Sequence, residues 1–265
     1  MCTLAVYTGI SRRFPIAVAA NRDEWLARPT MAPSRRRANP EAQWIFCGSD
    51  AVAGGTWLGV NQAGLVAGIV NRRTGQAPDA TKRSRGELCI LALQQTTLAA
   101  ATEAIRRQAA HDYNPFHLFV GSVDGAAVIG NKHERMVCQD LPPGVHLLTN
   151  LDLNDPTCPR IAKSRQGFAA AAAHLCDEAP EAFVTAARVL LSDHSTPLDP
   201  RAGAMPNNLC VHGDGYGTRS SSVIVFDAMR GNFRYWHAEG PPCRTNLVEV
   251  ALDGACDETS RQGEA

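Results

Sequence analysis

The sequence has no excess of either charge: Lys and Arg together number 26, as do Asp and Glu. No global field therefore draws nucleic acid or an acidic membrane surface, and any attraction for a ligand must be local. The longest apolar stretches are broken by glycine or polar residues, so no membrane span is expected. Nothing near the start has the layout of a secretory signal. Val6–Ile10 is too short for the apolar region, and Arg12 and Arg13 follow it instead of preceding it. Internal repeats, linkers and coiled-coil heptads are missing too, which leaves a scaffold role without support.

The nine cysteines stand at scattered positions with no C-x-x-C pair. An odd number without regular spacing gives neither a disulfide framework nor a zinc motif. They are expected to be reduced, mostly buried thiols of a cytoplasmic protein, with no metal site and no required cofactor.

What is present is an ordinary globular composition, 45% hydrophobic and 20% charged over 265 residues, enough to bury a full core. Leu4–Tyr7 and Phe14–Ala20 flank a turn at Gly9–Ser11 and read as a hairpin. The Pro- and Arg-rich stretch Arg28–Pro40 reads as a loop, and Thr56–Asn71 as a second hairpin. Ser84, three residues before Glu87, suggests a capping box opening a helix, with a second short helix following. Cys158–Cys176 and Glu181–Leu191 read as helices. Strands are expected at Phe116–Gly121, Ala126–Asn131, Val145–Thr149, Ser221–Phe226 and Phe233–Trp236. Hairpins outnumber β-α-β units, which argues for an α+β protein of antiparallel sheets with helices on their outer faces. One domain is expected over residues 1–256, with a disordered polar tail over 257–265.

Five places carry chemistry when taken together. Cys2 follows the initiator Met; removal of Met1 would put a thiol and a free α-amine on one residue. The amine, with a reference pKa of about 8, can take the thiol proton. Asn21 and Asp23 end one strand, and Asn71 and Asn150 end two others. Asn amides can stabilise an oxyanion, Asp23 could hold the terminal ammonium, and Arg219 could lower the thiol pKa. The set suits cleavage of an amide. "GDGYG" at Gly213–Gly217 is followed by a strand and not a helix, so a dinucleotide loop is excluded.

The opening Met-Cys-Thr-Leu, "ANRDE" at residues 20–24, "GGTWLGVN" and "YGTRSSSVIVFD" resemble the NRDE family, also called the transport and Golgi organisation family, from Met1 to about Trp236. The resemblance implies an N-terminal nucleophile hydrolase fold, a four-layer αββα sandwich of two mostly antiparallel sheets. A more distant resemblance is to bile salt hydrolases and penicillin V acylases. It implies Cys2 as nucleophile, Asn71 as oxyanion donor, and matching roles for Asn21, Asp23, Asn150 and Arg219. Where those enzymes carry an Arg, this chain has Ala20. A regular strand would bring Arg22 to the same face, one pleat step along.

Two functions compete. One is a hydrolase or acyltransferase acting on a small amide or thioester. The other is a carrier on the same fold, which the family resemblance would supply with haem or an acyl-CoA or lipid-like ligand. Arg22, Trp57, Arg72 and Arg73 are the ligand-binding candidates, and Arg35–Arg37 and Lys82–Arg85 are further local cationic clusters. His212 is the haem-ligand candidate. The expected partner is a small molecule, with no nucleic acid and no membrane span. The sequence leaves the oligomeric state open.

Overall fold

The computed structural model describes residues 2–39, 41–132, 135–176, 179–199 and 207–253. The expected polar tail lies outside them.

The strand β1 (Thr3–Thr8) turns back into β2 (Ile16–Trp25), and both are buried along most of their length. Their burial on two faces explains why neither shows polar alternation. After β3 (Thr30–Arg36) and β4 (Ile45–Asp50), the hairpin β5 (Leu58–Asn61) and β6 (Val66–Asn71) leads to α1 (Gly86–Leu93) and α2 (Leu98–Arg106). Next come β7 (Phe116–Ser122), β8 (Gly125–Lys132), β9 (Arg135–Leu141) and β10 (Gly144–Leu148). Then follow α3 (Pro159–Ala171), continued by a 3₁₀ turn, and α4 (Glu181–Leu191). The chain returns through β11 (Tyr216–Asp227), β12 (Asn232–Ala238) and β13 (Val248–Val250).

The strands form two antiparallel sheets, ordered β10-β1-β2-β11-β12-β13 and β3-β4-β5-β6-β7-β8-β9. Side-chain alternation sorts the core into three layers. Ala17, Ala19, Val223 and Val225 meet Phe168, Phe183 and Leu191 of α3 and α4. Leu4, Val18, Ala20 and Ile224 meet Leu58, Val70 and Phe119 of the facing sheet. Leu118, Val120 and Ile129 meet Leu88, Leu93 and Ile105 of α1 and α2. The expected αββα sandwich is therefore the observed one. Among the described residues no helix is long and apolar enough to cross a membrane.

Two local expectations are corrected. The Arg28–Pro40 loop contains the edge strand β3, whose pairing to β4 shifts register between Met31 and Ser34. Pro33 sits at that irregularity, where a missing N–H costs the ladder nothing. Ser84 does not cap α1: Arg85 is its N-cap, with no side-chain cap bond, while Glu87 turns to Arg83 at 2.8 Å. Thr97 does cap α2, accepting from the Ala100 N–H at 3.1 Å. The start of α1 is pressed onto the "GGTW" turn. A Cβ at Gly55 would lie 2.5 Å from the Gly86 backbone, and the Thr56 N–H donates to the Gly86 carbonyl at 3.2 Å. This contact sets Trp57 and Arg85 on adjoining chain segments.

Candidate active site

Cys2 immediately precedes β1, on the same side as Leu4 and Val6, and packs into the core between the sheets. The residue is partly exposed, but its thiol is turned inward, 4.0 Å from the Asp23 carbonyl. Burial pushes the thiol pKa up; the nearby Asp23 charge adds to this, and Arg22 opposes it. Beside the thiol is a crevice of about 10 Å³ lined by Cys2, Ala20, Arg22, Trp57, Val70 and Ser222 among others. That is room for roughly one water.

β2 pairs in continuous register with β1 and stays regular to its end, so Arg22 does share a face with Ala20. Arg22 is 5% exposed, and its guanidinium lies over the Trp57 ring, 4.2 Å from the centroid. Its anionic neighbours are Glu24 at 3.5 Å and Asp50 at 4.0 Å. Burial lowers the Arg22 pKa, and the Cys2, Glu24 and Asp50 charges work against that.

Asn21 and Asp23 point the other way, into the α3–α4 layer. The Asn21 amide donates to the Leu191 and Leu209 carbonyls, each at 2.8 Å, and its oxygen accepts from the Ser221 hydroxyl at 2.6 Å. Both of its N–H groups are thus committed to backbone. Asp23 accepts from the Thr218 hydroxyl at 2.7 Å and lies 3.7 Å from the Arg160 guanidinium. Burial lifts its carboxyl above the usual range, with Arg160 and Thr218 acting in the opposite sense.

Asn71 is exposed at the end of β6, and its carbonyl accepts from the buried Asn150 amide at 2.7 Å. This bond joins the end of β6, one residue beyond crevice-lining Val70, to the segment after β10; neither asparagine lines the crevice itself. Arg219 occupies the bulge where the β11–β2 register shifts between Thr218 and Ser220. It donates to the Thr30 hydroxyl and the Leu26 carbonyl at 3.2 and 3.1 Å, and so braces the loop after β2. Among the described residues, the side-chain cations whose charges reach the Cys2 thiol are Arg22 and Arg85. Arg85 was legible only as part of a surface cluster; packing of α1 against the "GGTW" turn is what brings it inward. Ser222, also missed, faces the crevice and is bonded to His237 at 2.9 Å, which in turn meets Glu239 at 3.0 Å.

The remaining ligand-binding candidates lie away from Cys2. Arg72 donates to Asp152 at 2.8 Å, and Arg73 lies 3.9 Å from Asp199. Arg72 shares a cleft of about 230 Å³ with His117 and Lys132. Burial, helped by Arg72, lowers the His117 pKa to about 4, with Asp152 opposing. A neutral histidine in the fold and a protonated one in the unfolded chain make stability pH-dependent. The contribution is complete above the unfolded value of about 6.5 and is lost as pH falls toward 4. Denaturant midpoints measured across this window should decline by an amount equivalent to roughly 3 kcal/mol or less. His117→Phe should flatten that decline.

Two facing antiparallel sheets, helices on both outer faces and a cysteine at the head of an inner strand define the N-terminal nucleophile hydrolase fold. The structure is similar to that of a penicillin V acylase from Agrobacterium tumefaciens, with TM-score 0.61 and 18% identity, over 95% of this chain and 86% of that one. It is also similar to an N-acylethanolamine-hydrolyzing acid amidase ortholog from Caenorhabditis elegans, with TM-score 0.58 and 13% identity, over 95% of this chain and all (100%) of that one. In sequence, residues 1–238 match the family model Transport and Golgi organisation 2, and the chain belongs to that family. The Bos taurus "Transport and Golgi organization protein 2 homolog" is 28% identical over 234 residues, covering 81% of this chain and 83% of the relative.

Proposed function

We propose that this chain is a cysteine-nucleophile hydrolase of small amide or thioester substrates, with Cys2 acting once Met1 is removed. The observation that carries the reading is the inward-facing Cys2 thiol at the crevice between the sheets, with the Arg22 and Arg85 charges in range. A free α-amine on Cys2 takes the thiol proton as the sulfur attacks the carbonyl carbon. The C–S bond forms, the C–N or C–S bond of the substrate breaks, and the leaving group collects the proton. Water then releases the acid from the acyl-cysteine and restores the thiol. Asp23, on the strand beside Cys2, holds the ammonium formed in transit. Asn150 and Asn71, hydrogen-bonded to each other just beyond crevice-lining Val70, serve the oxyanion. Asn21 positions the α4 and β11 segments, because both its donors are spent on backbone. Trp57 and Arg22 form the wall that must give way for an acyl chain to enter.

The experiment is an intact mass of the natively expressed protein, followed by a screen of N-acyl amides and acyl thioesters. A mass short by one methionine with turnover of either class supports the reading. Met1 retained in full removes the amine base, and this mechanism falls with it. A second reading, carriage of haem or an acyl-CoA or lipid-like ligand, is favoured by the Arg72–His117–Lys132 cleft. There the cations would meet carboxylate or phosphate groups. Cys2→Ala should leave such binding intact, whereas Arg72→Ala should weaken it.

A further inference from the structure

Away from the crevice, the fold gathers four residues that the chain keeps far apart. His194 lies just beyond α4, Cys210 and His212 precede β11, and Cys243 sits in the turn after β12. One ligand atom from each lies within 4.8 Å of all the others. The sulfurs of Cys210 and Cys243 are 3.6 Å apart. His212 Nε2 is 3.2 Å from the Cys243 sulfur and 3.8 Å from that of Cys210. A tetrahedral zinc with ordinary bond lengths places two sulfurs about 3.8 Å apart and sulfur and nitrogen about 3.6 Å apart. The three separations around Cys210, His212 and Cys243 lie within about 0.4 Å of those figures, and the widest gap in the set, up to 4.8 Å, closes with a small side-chain adjustment.

Hydrogen bonds that do not use the four ligand atoms hold these segments in place. His194 Nδ1 is 3.0 Å from the Cys210 carbonyl, which makes Nδ1 the protonated nitrogen and leaves Nε2 as the ligand atom. Metal-bound histidines usually have a second nitrogen fixed in this way. The Cys210 N–H donates to the Asp193 carbonyl at 2.9 Å. His212 is bridged to Gly217. The turn carrying Cys243 is tied to α4 by Arg188, whose Nε donates to the Pro242 carbonyl at 3.0 Å. Three chain segments thus converge on one point through main-chain hydrogen bonds and side-chain bonds to main-chain carbonyls.

We propose that His194, Cys210, His212 and Cys243 form a four-ligand structural site for a borderline-soft divalent ion, zinc being the fitting member of that class. Two thiols and two imidazoles are a zinc donor set, and four protein ligands leave no open position for a substrate. Binding exchanges two thiol protons for the dication, so two protons leave as two S–metal bonds form. The proposal departs from the expectation of no metal site, which rests on the lack of contiguous cysteine spacing. The site pins the segments whose carbonyls, Leu191 and Leu209, are held by Asn21. Its role is therefore to fix the chain behind the β2–β11 pair, and it stands independently of any hydrolase activity.

The test is metal content of the reduced, full-length protein after incubation with zinc and desalting. We expect about one zinc per chain, a rise in Tm of about 5 °C or more over chelator-treated protein, and loss of both in Cys243→Ser and in His212→Ala. Cobalt in place of zinc should give a thiolate-to-metal charge-transfer band that both variants lose. Cys2→Ala should keep the zinc. Absence of zinc, full retention of zinc by both ligand variants, or a Cys210–Cys243 disulfide in the freshly isolated protein would each overturn the site.

Discussion

Cys2→Ala should reduce amide or thioester turnover by about 10⁴-fold or more, the scale seen when a covalent nucleophile is removed. The same change should cost only about 1 kcal/mol of stability, because the partly exposed residue loses one sulfur and no hydrogen-bonded network. The crevice is walled by Ala20, Val70 and Trp57 whether or not the sulfur is present. A second variant separates the mechanism argued here from an ordinary cysteine hydrolase. A short extension ahead of residue 2 keeps the thiol but converts the α-amine into an amide. Turnover should fall nearly as far as in Cys2→Ala, since the base has gone while the nucleophile remains. Substrate turnover together with thermal unfolding reads both effects. Undiminished turnover in the extended protein would remove the amine from the mechanism, and undiminished turnover in Cys2→Ala would remove Cys2.

Arg160→Met should destabilise the protein by about 3–5 kcal/mol, the usual cost of leaving a buried charge without its partner. Arg160 is 1% exposed. Its guanidinium lies 3.7 Å from Asp23, donates to the Thr3 hydroxyl at 3.3 Å and reaches the Asn207 carbonyl at 3.1 Å. Without it, Asp23 keeps Thr218 as a donor but loses the α3 cation that counters its desolvation. The Asp23 carboxyl is already raised by burial and should rise further. The folded state then binds a proton more readily than the unfolded chain between the ordinary Asp value and the raised one. Its stability deficit is therefore full above the raised pKa and shrinks as pH falls through that window. Unfolding by denaturant at pH 7.5 and pH 5 should show the larger deficit at the higher pH. Asp23→Asn in the same background should recover part of the loss and abolish its pH dependence, because a neutral amide needs no counter-charge. A deficit independent of pH would show that Arg160 stabilises through packing alone.

Antiparallel sheets with helices on their outer faces are legible because they rest on local patterns, whereas the four-layer order is what the family resemblance implies. Apolar runs such as Ile16–Ala20 and Val223–Phe226 are too long for surface strands, and the Ala-rich segments at 159–171 and 181–191 have helical propensity. β3 was hidden because an edge strand rich in Arg with a proline at its bulge has the composition of a loop. The N-terminus of α1 departs from the capping-box spacing because Glu87 pairs with Arg83, and sequence spacing alone cannot rank that ion pair against a cap.

By itself the sequence determined the α+β class of antiparallel sheets with outer helices and the placing of Cys2 just ahead of the first strand, and it made the sharing of one face by Ala20 and Arg22 conditional on a regular strand, which the register of β2 supplies. These follow from strand periodicity of two and from the apolar runs that must be buried. The tertiary structure alone decided which charges surround the thiol. It put Arg85 in range and Arg219 onto a bulge, and it turned Asn21 and Asp23 toward α3 and α4. It also brought His194, Cys210, His212 and Cys243 to one point. The reason is the same in each case: these relations depend on how separate elements pack across a sheet or a layer, and chain spacing carries no record of that distance.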